Sequence, residues 1–153
     1  MAGSDGWGTE DFEEALRRVQ PVTPRDAVVR LGYVSDADRS DLLAGAACLA
    51  FPSRYEGYGL PPLEAMAQGC PVVTTTAGSI PEVCGDAARF VTPGDVDALA
   101  GAIDAVVSDR RVSAELIAAG RSRLTHFSWE DTGRAVAALY QEIAIHGAQH
   151  TRR

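Results

Sequence analysis

A chain of 153 residues is one domain at most, long enough for a sizeable core and too short for two domains with a cleft between them. With 46% hydrophobic and 23% charged residues it is not a disordered chain. A net charge of −7 argues against a nucleic-acid or anionic-membrane surface, which needs clustered positive charge. All 14 basic residues are arginine and there is no lysine, which reads as compositional bias. Cys48, Cys70 and Cys84 have no C-x-x-C spacing and read as small buried hydrophobes in a reducing compartment. The polar, glycine-rich start is no signal peptide, and no apolar run nears the roughly 18 residues that span a bilayer. A cytoplasmic protein without a transmembrane segment is expected; peripheral membrane contact is left open.

In chain order, Thr9 caps a helix with Glu10 and Asp11 in its first turn and Arg17 and Arg18 in its last, matching the macrodipole. Residues 21–25 are a turn-rich loop. Residues 27–31 read as a short strand closed by Gly32. Ser35 and Asp38 have the spacing of a capping box for a helix to about residue 46. Residues 47–51 read as a buried strand, and 52–60 as a loop. Pro61 and Pro62 suit only the first turn of a helix, which ends at Gly69. Strands follow at 71–75 and 88–91. Asp95 caps a helix over 96–107 with Leu99, Ile103 and Val106 on one face. Another helix covers 110–124. Ser128 caps the last, with Val136, Leu139, Tyr140 and Ile143 expected to face inward. Residues 1–145 would form the domain, and 146–153 a disordered polar tail. Short buried strands alternating with helices imply a parallel α/β sheet.

The segment from Phe51 to Glu64 carries the chemistry. It leaves a strand at its C-terminal end and enters a helix, the edge where open α/β sheets bind ligands. Gly57 and Gly59 permit close backbone approach. The N–H groups of Gly57, Tyr58, Gly59, Leu60 and Leu63, with the helix dipole, suit an anion such as phosphate. No Lys-Ser/Thr follows, so this is not a Walker loop. Glu56 and Glu64 flank the segment. A carboxylate repels phosphate, so sugar hydroxyls are their natural partners. Spacing alone leaves other readings open: a solvated loop charge for Glu56, a dipole-favoured first-turn residue for Glu64, or a hydrolytic carboxylate pair. His146 and His150, four apart, permit zinc in principle; His126 reads as structural.

The stretch from Val29 to Tyr140 resembles the C-terminal half of a retaining family 4 glycosyltransferase, a GT-B enzyme. The resemblance rests on Leu31-Gly32-Tyr33-Val34, Phe51-Pro52-Ser53, Glu56-Gly57-Tyr58-Gly59-Leu60-Pro61, Leu63-Glu64-Ala65-Met66-Ala67 and Gly69-Cys70-Pro71-Val72-Val73. It continues through Gly78, Pro81-Glu82-Val83, Gly85-Asp86-Ala87 and Phe127-Ser128-Trp129. It implies a partial Rossmann-like parallel sheet covered by helices, with the first two strands of that domain missing. By motif position, Glu56 would contact the donor hexose as the catalytic residue, and Glu64 the ribose hydroxyls. The amides of Gly57, Tyr58, Gly59 and Leu60 would approach the sugar and diphosphate, and Tyr33 and Val34 the base. Gly78 and Ser79 could approach the donor less securely. Tyr58 stands where the family often has Phe, so a packing role is expected for its ring.

The substrate implied is a UDP- or GDP-sugar, transferred to an acceptor hydroxyl with retention. No cofactor and no divalent metal is implied, and the sequence itself offers no metal cluster. The family's N-terminal acceptor domain has no counterpart here, nor has the Gly-Arg segment with its nearby Lys that holds the diphosphate. With the usual strand order 3-2-1-4-5-6, strand 27–31 would lack its neighbour and residues 48–51 would be an open edge. The expectation is a fragment of low stability and no independent catalysis, completed by the N-terminal domain or a partner chain. The alternatives are a non-catalytic interaction module or a subunit of a split glycosyltransferase, and, more weakly, a generic receiver-like domain.

Overall fold

The computed structural model describes residues 1–3, 9–19, 23–24 and 27–150, with side chains described to residue 144. Its elements are helix α1 (Glu10–Val19), α2 (Asp36–Gly45), strand β1 (Leu49–Phe51), α3 (Leu60–Ala67), β2 (Val72–Thr75), α4 (Ile80–Cys84), β3 (Arg89–Val91), α5 (Val96–Ser108), α6 (Arg110–Leu124) and α7 (Trp129–His150). The strands form a parallel sheet in the order β1-β2-β3. Leu49 lies opposite Val72, and Val73 opposite Arg89.

The centre of the sheet follows from β2. All four of its residues are buried, and successive side chains leave opposite faces. Val72 joins the larger core cluster, with Leu63, Met66, Ile80, Val83 and Cys84 from α3 and α4. Val73 joins the smaller one, with Ala102 and Val106 of α5, where Leu99 and Ile103 also pack as expected. Gly120 of α6 lets α3 approach closely: a Cβ there would lie 3.0 Å from Met66 Cγ. Cys70 and Cys84 are buried free thiols, and Cys48 is half-buried. Burial pushes the Cys84 thiol up to about 11 despite nearby Arg123, so it stays protonated at neutral pH.

The caps form where side-chain oxygens were expected. Ser35 Oγ accepts from the Asp38 N–H at 3.2 Å and donates to its carboxylate at 2.7 Å. Asp95 accepts from the Ala98 N–H at 2.9 Å, and Ser128 from the Glu130 and Asp131 N–H groups. The carbonyl of Thr9 accepts the Glu13 N–H and so begins α1.

Two expectations are corrected. Residues 27–31 form no strand. Val28, Val29 and Leu31 are exposed, and only an isolated parallel bridge, Ala2 to Gly32, forms nearby. It is supported by Leu31 N–H to Met1 O and Gly3 N–H to Gly32 O, both 2.8 Å. A strand needs ladder partners, and among the described residues none forms a ladder with this segment. Instead an open groove of about 620 Å³ runs between Leu31 and Val34 on one side and Leu42 and Gly45 of α2 on the other. Second, the apolar stripe of α7 faces outward: Val136 is 46% exposed and Tyr140 70%. The amphipathic pattern is present, but its covering layer is absent from the described residues. The backbone of α7 runs to His150, and residues 151–153 lie outside the described residues.

Among the described residues no helix is long and apolar enough to cross a membrane.

Candidate functional site

Two connections at the C-terminal ends of the strands meet at one place. The first runs from β1 to α3 and holds Glu56, Gly57, Tyr58 and Gly59. The second runs from β2 to α4 and holds Gly78 and Ser79. Hydroxyls at the end of β2 pin the first connection: Thr74 Oγ1 donates to Phe51 O at 2.9 Å, and Thr75 Oγ1 to Ser53 O. Ser79 pins it further on. Its N–H donates to Glu56 O at 3.2 Å, and its hydroxyl reaches Glu56 O at 3.1 Å and Tyr58 O at 2.7 Å. Three carbonyls of the loop and that of Phe51 at the end of β1 are thus held by three side chains, which fixes a segment otherwise without regular structure.

Gly78 makes the meeting possible. Its φ is +56°, and a Cβ would stand 2.3 Å from Glu56 O and 3.0 Å from Glu56 N. The sequence reading placed Gly78 and Ser79 near the donor; here they hold the backbone of Glu56. Gly59 (φ +104°) turns the chain into α3 and caps it without a side-chain bond. The first amides of α3 have no intrahelical acceptor, and the helix dipole adds positive character there. Gly57 differs: its φ is not positive, and a Cβ would meet nothing within 4 Å. Its N–H donates to its neighbour's Glu56 Oε1 at 3.1 Å, so it is not the free donor expected from sequence.

The other expected residues are spread wider. Leu60 opens α3 and is half-exposed. Tyr58 is 52% exposed. Tyr33 is 82% exposed, and Val34 lines the groove beside α2 with Asp38 and Leu42. Glu64 lies beyond the first turn of α3, which holds no acidic residue, so the dipole-only reading fails. It faces α2 instead and is gripped by Arg39: Nε stands 2.8 Å from Oε2, and Nη2 donates to Oε1 at 3.0 Å.

Arg123 of α6 supports the site from behind. Its Nε donates to Val83 O at 2.9 Å and Nη2 to Glu82 O, and its guanidinium lies over Phe127, steadying the short helix that carries Ser79. Sequence reasoning missed Arg39, Arg123 and the two threonines. Hydroxyls closing an otherwise apolar strand were the one available signal. Among the described residues no group of three His, Cys, Asp or Glu side chains is placed to hold a metal ion.

Residues 1–123 match the family described as glycosyl transferases group 1. The O-antigen chain mannosyltransferase B of Escherichia coli is 39% identical over 132 residues, covering 86% of this chain and 34% of that protein. The MMP alpha-(1->4)-mannosyltransferase of Mycolicibacterium hassiacum is 40% identical over 121 residues, covering 76% and 29%. The chain thus spans about a third of the length of the curated relatives it matches. Among solved structures, HepE of Anabaena in complex with UDP and glucose superposes with a TM-score of 0.78 at 25% identity, over 92% of this chain and 39% of that one.

Proposed function

Because the chain belongs to the group 1 glycosyl transferases, a family of hexosyltransferases with the GT-B fold, we propose that it is the donor-binding half of a retaining enzyme that moves a mannosyl or glucosyl unit from a UDP- or GDP-sugar to an acceptor hydroxyl. The observation that supports this most is the pinned Glu56–Gly59 loop at the strand ends, leading into an N-terminus of α3 that no side chain caps. In this reading Glu56 faces the hexose. Its carboxylate stabilises the positive charge that grows on the sugar as the bond to the diphosphate breaks. The amides of Tyr58, Gly59 and Leu60, with the dipole of α3, stabilise the charge left on the diphosphate. Both sets of dipoles are fixed beforehand by Ser79 and the threonines, so little reorganisation is needed during reaction. Glu64 binds the ribose hydroxyls, Tyr33 and Val34 lie toward the base, and no metal is required.

The acceptor half comes from elsewhere, as a preceding segment or a partner chain. Three features support this: the coverage of about a third of the relatives, the unpartnered edge of β1, and the uncovered stripe of α7. A non-catalytic interaction module would use the same open faces, but leaves the fixed Glu56 loop without a purpose.

The test is transfer by the chain joined to an N-terminal half. The product should keep the donor's anomeric configuration, read by NMR. Glu56→Gln should lower kcat by about 10²-fold with little change in KM, as loss of a charge acting in the transition state does. An inverted product, or a Glu56→Gln enzyme of full kcat, would refute the assignment.

A further inference from the structure

Glu64 does not stand alone, and its grip is specific. Arg39 Nε and Nη2 engage its two carboxylate oxygens separately, at 2.8 and 3.0 Å. The third nitrogen, Nη1, lies 3.2 Å from Asp36 Oδ1, one turn earlier on α2. All three nitrogens are therefore committed, and the fork fixes the plane of the Glu64 carboxylate as well as its position. Each carboxylate oxygen keeps a further lone pair, and the Glu64 side chain remains 34% exposed, within reach of a ligand.

We infer that Arg39 is a positioning residue for the nucleotide: it acts through Glu64, holding that carboxylate ready to accept bonds from the two vicinal hydroxyls of the ribose. The inference rests on the donor-site reading above and deepens it. Two physical effects make the grip useful. A free glutamate loses rotamer freedom when it binds a ligand, and here that ordering is complete beforehand. The guanidinium also offsets a negative charge that would otherwise repel the diphosphate.

The test is titration calorimetry of the full chain with UDP and GDP, and with the 2′,3′-dideoxy form of whichever binds more tightly. Arg39→Met should weaken the ribonucleotide about tenfold. It should change nothing in a Glu64→Gln background, and nothing for the dideoxy probe. The pair is partly exposed, so the variant should fold. Should it fail to, Arg39→Lys, which keeps the charge and loses the fork, carries the test with about a threefold loss. Unchanged affinity, or an equal loss in the Glu64→Gln background, would overturn the inference while leaving the donor site in place. A wild-type chain that binds neither nucleotide even when the N-terminal half is supplied would overturn the functional reading and this inference together.

Discussion

Gly78→Ala should lower the melting temperature by roughly 5–10 °C and cut transfer by the joined enzyme about 10²-fold or more. Two costs add. Alanine at φ +56° is strained by about 1–2 kcal/mol, and its methyl group would occupy space 2.3 Å from Glu56 O, a backbone atom that cannot swing away. Relief requires moving either α4 or the Glu56 loop. Either movement stretches the Ser79 bonds at 3.1 and 3.2 Å and carries the Glu56 carboxylate with it. Gly57→Ala is the internal control. A Cβ there meets nothing within 4 Å and φ is not positive, so stability should be unchanged. Because donor phosphate or sugar would approach that same backbone, its donor affinity should still fall. The glycines at 57 and 78 would thus separate support of the site from contact with the ligand. A Gly78→Ala protein of normal stability and activity would remove Gly78 from the account.

The second large effect concerns completion of the sheet. In the isolated chain, amides 28–31 should exchange with solvent at least a hundredfold faster than those of Val72–Thr75. The first group lies on an exposed segment that forms no strand; the second lies in β2, which among the described residues is paired on both sides. Supplying the N-terminal half should slow exchange at 28–31 and at the β1 edge, and raise the melting temperature, because binding to the folded state stabilises it by mass action. Strong protection of residues 27–31 in a monomer would contradict this.

The parts legible from sequence are those set by local chemistry. Alternation of Val72 and Val73 into two cores, the caps at Ser35, Asp95 and Ser128, and the stripe of α5 all depend on neighbours a few residues away. Residues 27–31 look like a strand for the same local reasons, yet a strand exists only beside another, and none of the described residues forms a ladder with it. The stripe on α7 is legible as one apolar face, but a periodic pattern does not say what covers it, and among the described residues it is exposed. In the site, the position of Glu56 was legible because a strand end, glycines and a helix start lie together in sequence. The Arg39–Glu64 fork joins residues 25 apart on two helices, and Ser79 reaches back 23 residues to Glu56. Neither spacing has a periodic signature.

The central claim is that the Glu56–Glu64 segment is a donor site. It is tested most directly by titrating UDP-glucose and GDP-mannose into the isotope-labelled chain and following the backbone amides. One of the two should shift Gly57, Tyr58, Gly59, Leu60 and Glu64 together, saturably, leaving the amides of α5 and α6 in place. Binding that shifts other amides and spares 56–64, or no binding even after the N-terminal half is supplied, would contradict it.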